Sequence, residues 1–333
     1  MARRLGLDVL KGAAIILVVF NHTLLWPMRS DDLVSAFLYG TAFGTVAAFS
    51  AAAGYVQGLH PPREERAVVR KRAGQLLVPW LIWAPLYALA PLAWKAVGGG
   101  ALPMEFDPGP WAREILLGGG PLWFLPVLFA VTAVCALFDT RTRSWTPAWA
   151  SIGVYAVVAV WASSAGTSPL DLGNGTFWAV SPLYIAAFWF GLRIARDGAP
   201  KTSHGVLAAI VALSMALGGV VTLVRALHPE ARWLMWLPYA IGAIGGCAAL
   251  GIAAGGRIVP GPTLAWVGER LARVGRASLG LYIVHPLLVA PFELVARGRG
   301  GAAIAVLATA AVFVVGTPVV ERVRAVPYLR RAV

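Results

Sequence analysis

The stretch KGAAIILVVFNH, residues 11–22, places a lysine and a histidine at the two ends of an apolar run. A neutral imidazole accepts a proton from a hydroxyl near physiological pH, which is the role of a general base in group transfer. On a helix, Lys11 and His22 lie about 16 Å apart along the axis and within about 20° of one face. Asp8 precedes Lys11 by the spacing of an i,i+3 ion pair. The stripe therefore indicates a functional face.

Each end of this stripe also has a plainer interpretation. Lys11 lies close enough to the start of the predicted helix for its side chain to reach lipid headgroups. The plainer interpretation of His22 is an ordinary, hydrogen-bonded histidine at the far membrane interface. Neither interpretation explains why the two ionisable groups share one face.

A cluster of basic residues occupies the segment HPPREERAVVRKRAGQLLVPW, residues 60–80. Such a cluster anchors a helix to anionic lipid. The same side chains bind the phosphates of a nucleotide. The sequence leaves both interpretations open. The cluster consists of Arg63, Arg66, Arg70, Lys71 and Arg72.

Two further stretches carry polar groups inside apolar runs. In GGGPLWFLPVLFAV, residues 118–131, Trp123 lies near one end of the run, where tryptophan commonly anchors a helix at the membrane interface. In GRASLGLYIVHPLLVAPFE, His285 follows Tyr282 by one turn and precedes Pro286. The proline removes a helical hydrogen bond and leaves backbone groups that a cavity or a neighbouring helix must satisfy.

The elements that position these residues are predicted membrane helices. Of 333 residues, 59% are hydrophobic and 13% are charged, and the mean hydropathy is +0.72. The net charge of +13 does not indicate nucleic-acid binding, because the basic residues lie between apolar runs. The apolar runs predict an all-α, polytopic membrane protein. The ten predicted spans are 6–26, 33–58, 74–95, 118–138, 146–163, 177–194, 205–224, 233–254, 277–295 and 301–320.

The distribution of basic residues predicts the orientation of these spans. With the N-terminus in the cytoplasm, 20 Lys and Arg residues fall on the inner side and 7 on the outer side. This asymmetry predicts that both termini are cytoplasmic. The first span is followed by no small-residue cleavage site, so we expect it to be retained as a helix. We expect residues 1–333 to form one transmembrane domain.

The two cysteines predict neither a disulfide framework nor a metal site. Cys135 and Cys247 each lie inside a predicted span, and their spacing is not that of metal ligands. We therefore interpret both as packing residues, and we expect no metal and no permanently bound cofactor.

Several of these motifs together resemble the integral-membrane acyltransferase type 3 family, in which a basic residue, ten intervening residues and a histidine are the hallmark. The lysine in this position and LVV before the histidine are similar to the fucose O-acetylase-like branch. The resemblance covers nearly the whole chain, although Ala53 stands where the second-helix motif normally has a serine. The similar stretches are LDVLKGAAIILVVFNH (7–22), FSAAAGYVQG (49–58), RKRAGQLLVPWLIW (70–83), LWFLPVLF (122–129) and SLGLYIVHPLL (278–288).

The resemblance implies transfer of an acyl group, usually acetyl, from cytoplasmic acyl-CoA to a hydroxyl of a cell-envelope sugar or glycolipid. It implies that His22 is the catalytic histidine and that Lys11 helps to hold the CoA end. The basic cluster, with Arg70, Lys71 and Arg72, would then bind the CoA phosphates.

The remaining candidates are expected on the cavity or acceptor side. Asp8 and His285 are placed there, and the candidates for stabilising an oxyanion are Asn21, Trp123 and Tyr282. Both a general-base mechanism and an acyl-histidine mechanism remain open. The expected location is the plasma (inner) membrane, and the oligomeric state is not predicted.

A multi-pass transporter or flippase for a polar envelope precursor is the alternative function. Many helices, prolines and glycines within spans, and intramembrane ionisable groups also suit such a protein. Against it, no pair of broken segments recurs in corresponding halves of the chain. Acyl-CoA turnover separates the two functions, because a transporter leaves the thioester intact.

Overall fold

The computed structural model describes residues 5–25, 33–60, 64–96, 122–139, 142, 144–167, 175–199, 201–255, 261–296 and 302–326. These residues form helices and the turns between them, with no strand in the described ranges. The predicted all-α class is confirmed. Arg63 and nearly all of the predicted outer loop, 96–117, lie outside the described residues.

Eleven α-helices and one short 3₁₀-helix, Arg232–Met235, are described. The α-helices are α1 (Leu5–Leu25), α2 (Leu33–Thr41), α3 (Gly44–Gly58), α4 (Glu65–Ala96), α5 (Phe124–Asp139), α6 (Thr146–Ser164), α7 (Gly175–Asp197), α8 (His204–Leu227), α9 (Trp236–Ala254), α10 (Gly261–Ala296) and α11 (Ala302–Ala325).

Seven stretches of the described chain are long and apolar enough to cross a membrane. The predicted spans 74–95, 118–138 and 277–295 fall on α4, α5 and α10, which are not among these seven. Several apolar helices thus support a membrane protein, whereas the count of ten, the orientation of the termini and the single domain remain predictions. The seven stretches are Leu5–Leu24, Leu33–Gly58, Thr146–Ser164, Thr176–Asp197, His204–Leu227, Trp233–Ala254 and Ala302–Ala325.

The predicted span 33–58 consists of two helices with a break between Thr41 and Gly44. At the break, the Thr41 hydroxyl donates to the Leu38 carbonyl at 2.7 Å, and the Thr45 hydroxyl donates to the Ala42 carbonyl at 2.8 Å. Threonine hydroxyls that bond to nearby carbonyls commonly bend helices. The break brings the turn between α2 and α3 into the protein interior.

Close packing joins α1 to α10. A Cβ atom at Gly12 would lie 2.0 Å from the Leu271 carbonyl oxygen, and one at Gly275 would lie 1.8 Å from the Asp8 carbonyl oxygen. Both distances are far below van der Waals contact, so only glycine permits this approach of the two backbones. The packing fixes the position of α1 along α10.

Small residues and one ion pair hold α3, α5 and α7 together. The buried face of α3 is rich in alanine, including Ala47 and Ala51, so that neighbouring helices approach closely. From α7, the Arg196 guanidinium forms a two-point ion pair with Asp139 at the end of α5, with one of the contacts at 2.8 Å. This pair ties α5 to α7 beside the end of α3.

Candidate active site

A central cavity of about 280 Å³ lies among α1, α2, α3, α5, α7, α9 and α10. His22 and Asn21 contribute to its wall from α1. None of its lining residues, all of which are described, is Asp, Glu, Lys or Arg. The cavity is therefore aromatic and carries no fixed charge. Its aromatic lining residues are Tyr39, Phe43, Phe49, Trp123, Phe124, Phe177, Tyr184, Tyr239 and Tyr282.

The two histidines of the sequence analysis meet at the wall of this cavity. The ring centroids of His22 and His285 lie 4.9 Å apart, and the ring planes are tilted by 56°. His22 lines the central cavity, whereas His285 is 0% exposed and lies behind it. The structure thus brings together two residues that are far apart in the chain.

Tyr282 and Trp123 are held on the same wall by specific contacts. The Phe124 amide donates a hydrogen bond to the Tyr282 hydroxyl oxygen at 3.1 Å. Trp123 stacks on Phe177, with 3.9 Å between ring centroids and 8° between planes. Because the Tyr282 oxygen accepts from the backbone, its own proton remains able to donate to a ligand.

Asn21 presents an unsatisfied amide oxygen to the same region. Its Oδ1 is buried and has no hydrogen-bond partner among the described residues. An unsatisfied buried amide is costly, and ligand-binding sites are where such groups are expected. The side chain is therefore available to a hydroxyl or carbonyl group in the cavity, with either end of the amide turned toward it.

A second cavity, the basic cavity, has a volume of about 140 Å³ and lies between the end of α3, the start of α4 and the end of α5. Lys71, Arg72 and His60 line it, together with Gln57, whose amide nitrogen and oxygen are buried without partners among the described residues. Asp139 also lines it, but this carboxylate is engaged by an arginine of α7. The cavity therefore presents a net positive lining.

Arg72 is the most enclosed cation among the described members of the predicted cluster. Its Nη1 donates to the Gln75 side-chain oxygen at 3.1 Å. Partial burial lowers the pKa of its guanidinium, which remains protonated because arginine starts from so high a value. Arg70 is exposed and does not line the basic cavity. Of the three predicted phosphate-binding residues, the structure thus brings two to this cavity.

Lys11 and Asp8 form the expected ion pair, with 3.3 Å between Nζ and Oδ1. The Asp8 residue is 3% exposed and the Lys11 side chain is 25% exposed. Neither residue lines either cavity. Asp8 precedes His22 by about 21 Å along the uninterrupted α1, so it lies with Lys11 and not at the wall of the central cavity.

Among the described residues, no three His, Cys, Asp or Glu side chains come together in a way that could hold a metal ion. Cys135 and Cys247 are both free thiols. The polar groups that line the central cavity and are able to take part in chemistry include histidine, tyrosine and amide side chains.

The comparison with known families bears on that chemistry. The family model described as an acyltransferase domain, of type 3, matches residues 4–320. The chain belongs to the acyltransferase type 3 family. No curated protein and no solved structure gives a significant match. The likeness to the fucose O-acetylase-like branch remains a prediction.

The family assignment makes the protein a membrane acyltransferase. The alternative of a transporter or flippase is not favoured. In this acyltransferase, His22 is both the histidine of the family resemblance and the imidazole on the wall of the central cavity.

Several residues around the two cavities of this acyltransferase were not predicted from the sequence. Tyr39, Tyr184 and Tyr239 look like ordinary core aromatics in their own helices, and no local signal marks them. Gln57 did carry a signal, because it is a long polar side chain in an otherwise apolar helix that ends near His60.

Proposed function

We propose that the protein is an O-acyltransferase, most simply an O-acetyltransferase, of the plasma (inner) membrane. It transfers the acyl group of cytoplasmic acyl-CoA to a hydroxyl of a cell-envelope sugar or glycolipid, as in polysaccharide modification. The observation that carries the proposal is His22 on the wall of an uncharged aromatic cavity, in a chain of the acyltransferase type 3 family.

The basic cavity is the proposed site for the CoA phosphates. Lys71 and Arg72 supply charge, and the exposed Arg70, which precedes Lys71 in α4, adds to the local potential. The unpartnered Gln57 amide offers both a donor and an acceptor to the amides of a pantetheine arm. These groups match the chemistry of acyl-CoA from its phosphates to its arm.

Helix α3 connects the two cavities. Phe49 lines the central cavity and Gln57 lines the basic cavity, about 12 Å apart along the helix axis. In the predicted topology, α1 and α3 cross the membrane in opposite directions. Lys11 and His60 then lie toward the same side of the membrane, because α1 runs from Lys11 to His22 at the central cavity and α3 runs from Phe49 at the central cavity toward His60. A pantetheine arm can extend from the basic cavity to the central cavity, with its thioester at His22.

The lining of the central cavity favours an uncharged, ring-shaped acceptor. Aromatic side chains bury apolar ring faces, and the tyrosine hydroxyls and Asn21 offer hydrogen bonds to hydroxyl groups. An acceptor with a phosphate or carboxylate on the reacting ring would enter without a counter-charge from the lining residues, which is costly. A neutral sugar carries the expected combination of hydroxyls and apolar faces.

The proposed reaction uses His22 as the base. Its imidazole takes the proton of the acceptor hydroxyl while the oxygen attacks the thioester carbonyl carbon. The new C–O ester bond forms, the C–S bond breaks, and the CoA thiolate leaves and takes up the proton. The Tyr282 hydroxyl and the Asn21 amide are the proposed donors to the oxyanion. An acyl-histidine intermediate reaches the same products in two steps.

The purified protein in lipid nanodiscs tests this proposal. Acetyl-CoA is supplied with envelope glycolipids or polysaccharide, free thiol is measured, and the acceptor is analysed by mass spectrometry for one added acetyl group. We expect thiol release and acetylated acceptor from the wild type and neither from His22→Ala. A well-folded wild type that transports the acceptor but leaves acetyl-CoA intact would contradict the proposal and restore the transporter alternative.

A further inference from the structure

The proline after His285 creates an unusual acceptor in α10. In an α-helix, the amide of residue 286 would donate to the carbonyl of residue 282. Pro286 has no N–H, so the Tyr282 carbonyl loses this partner. The ring of His285 takes the vacant place, with 2.7 Å between its Nδ1 and the Tyr282 carbonyl oxygen.

This contact determines which nitrogen of His285 carries the proton. A carbonyl oxygen only accepts, so Nδ1 must be the donor and carry the hydrogen. In the neutral ring, Nε2 then presents a lone pair and no proton. Nε2 is buried and has no hydrogen-bond partner among the described residues. The fold therefore contains a buried hydrogen-bond acceptor that no other described residue uses.

Of the two ring contacts that His285 makes among the described residues, the shorter is to His22, at 4.9 Å between centroids against 5.7 Å to Tyr282. Gly12 and Gly275 are points of close backbone approach between α1 and α10, and each precedes its histidine by ten residues. The two helices therefore run parallel and in register over this distance, which keeps the rings at 4.9 Å between centroids. At this centroid distance, an N–H of His22 reaches hydrogen-bond distance of His285 Nε2 when both nitrogens point along the line between the two rings.

A general base needs such a partner. To accept a proton on the nitrogen that faces the cavity, His22 must carry its own hydrogen on the other nitrogen. In hydrolases with a catalytic triad, a carboxylate behind the histidine fixes that tautomer. The residues that line the central cavity include no carboxylate.

We propose that His285 is a positioning residue that accepts a hydrogen bond from His22 through Nε2 and thereby holds His22 in the tautomer that serves as the base. This inference rests on the proposed function. His285 acts through His22 and does not touch the acceptor. A neutral imidazole as the hydrogen-bond partner of His22 suits an uncharged cavity, because it adds no buried charge when the sugar substrate is absent.

Two near-isosteric variants separate this role from simple packing. His285→Gln can place an amide oxygen near the position of Nε2, and so it retains an acceptor for His22. His285→Asn places its amide near the position of Nδ1, so it can still bond to the Tyr282 carbonyl but presents nothing to His22. Both variants remove the ring and keep a polar side chain of similar size. They differ chiefly in whether the side chain offers His22 a hydrogen-bond acceptor at the position of Nε2.

We expect His285→Gln to retain kcat within roughly tenfold of the wild type, and His285→Asn to lose about 10² or more in kcat, the scale of general-base catalysis. The KM values for acetyl-CoA and the acceptor should change little in either variant. Equal kcat values in the two variants would overturn the proposal, as would a loss confined to KM. If either variant fails to fold, Pro286→Ala replaces it.

Pro286→Ala restores an amide hydrogen that competes with Nδ1 for the Tyr282 carbonyl. We expect it to lower kcat about threefold to tenfold with unchanged KM values, because the tautomer of His285 is then no longer fixed. Unchanged kcat in this variant would count against the proposal. If the wild type showed no acyl transfer, the proposed function itself would be rejected. If the wild type were active and His285→Asn did not lower kcat, only the inference about His285 would be rejected.

Discussion

The contact between α1 and α10 predicts that a single methyl group far from the central cavity slows catalysis. In Gly275→Ala, the new Cβ would lie 1.8 Å from the Asp8 carbonyl oxygen, whereas ordinary contact begins at 3.4 Å. The two backbones must therefore separate locally by about 1.6 Å. Gly275 and His285 share one uninterrupted helix, so a large part of this shift reaches the two histidine rings.

The magnitude follows from how sharply group transfer depends on geometry. A misplacement of about 1 Å in a reacting group commonly costs about 10²-fold in rate. We therefore expect Gly275→Ala to lower kcat by about that factor, with KM for acyl-CoA little changed. Overpacking at the helix contact should also lower the free energy of unfolding by about 1–3 kcal/mol. Both effects arise from one displacement.

The assay compares Gly275→Ala with Gly268→Ala, a change of the same kind on the same helix. A Cβ at Gly268 would meet nothing within 4 Å. Thiol release from acetyl-CoA gives kcat and KM, and thermal unfolding in nanodiscs gives stability. We expect Gly268→Ala to resemble the wild type in both. A folded Gly275→Ala protein with wild-type kcat would refute the argument that this glycine contact sets the geometry of the two histidines.

Three further predictions address the donor end, the topology and the oxyanion. Lys11→Gln should raise KM for acyl-CoA by roughly tenfold, equal to about 1.4 kcal/mol, and Lys11→Arg should not. Steady-state kinetics with both variants will measure this, and an unchanged KM in Lys11→Gln would mean that the lysine only reaches lipid headgroups. A reporter active only outside the membrane should be silent when fused after Val333 and active when inserted near Gly99, and the opposite pattern would place the basic cavity on the wrong side for cytoplasmic CoA. Tyr282→Phe should lower kcat by about 10² without affecting KM, and full activity of this variant would remove its hydroxyl from the oxyanion site.

The part of the site on a single helix was predictable from sequence. Because α1 is one uninterrupted helix from Leu5 to Leu25, the spacing of Lys11 and His22 follows from helical geometry, and the Asp8 ion pair is confirmed. The all-α class followed in the same way from the lengths of the apolar runs. Such inferences need only the rise and turn of a helix.

The parts that depend on packing between helices were not predictable. His285 faces His22 because glycines at positions 12 and 275 let α1 and α10 approach, and no periodicity in either helix reports this pairing. Of the tyrosines of the central cavity, Tyr282 was a candidate from the sequence, whereas Tyr39, Tyr184 and Tyr239 come from three other helices and resemble core residues in each. The structure places Asp8 with Lys11 and not among the lining residues of the central cavity, which its helical position alone did not indicate, because that position gives a direction but not the neighbouring surface.

The arrangement around Tyr282 explains how an uncharged cavity can stabilise charge that exists only during reaction. The Phe124 amide donates to the Tyr282 oxygen, and a hydroxyl that accepts one hydrogen bond becomes a better donor of the next. The carbonyl of the same residue holds the proton position of His285. One residue of α10 thus contributes its side chain to the proposed oxyanion site and its backbone to the proposed tautomer control. Neither contribution places a permanent charge in the cavity, so a neutral sugar substrate can enter without an electrostatic penalty. The dipoles of the Tyr282 hydroxyl and carbonyl then act on charge only as it develops during the reaction.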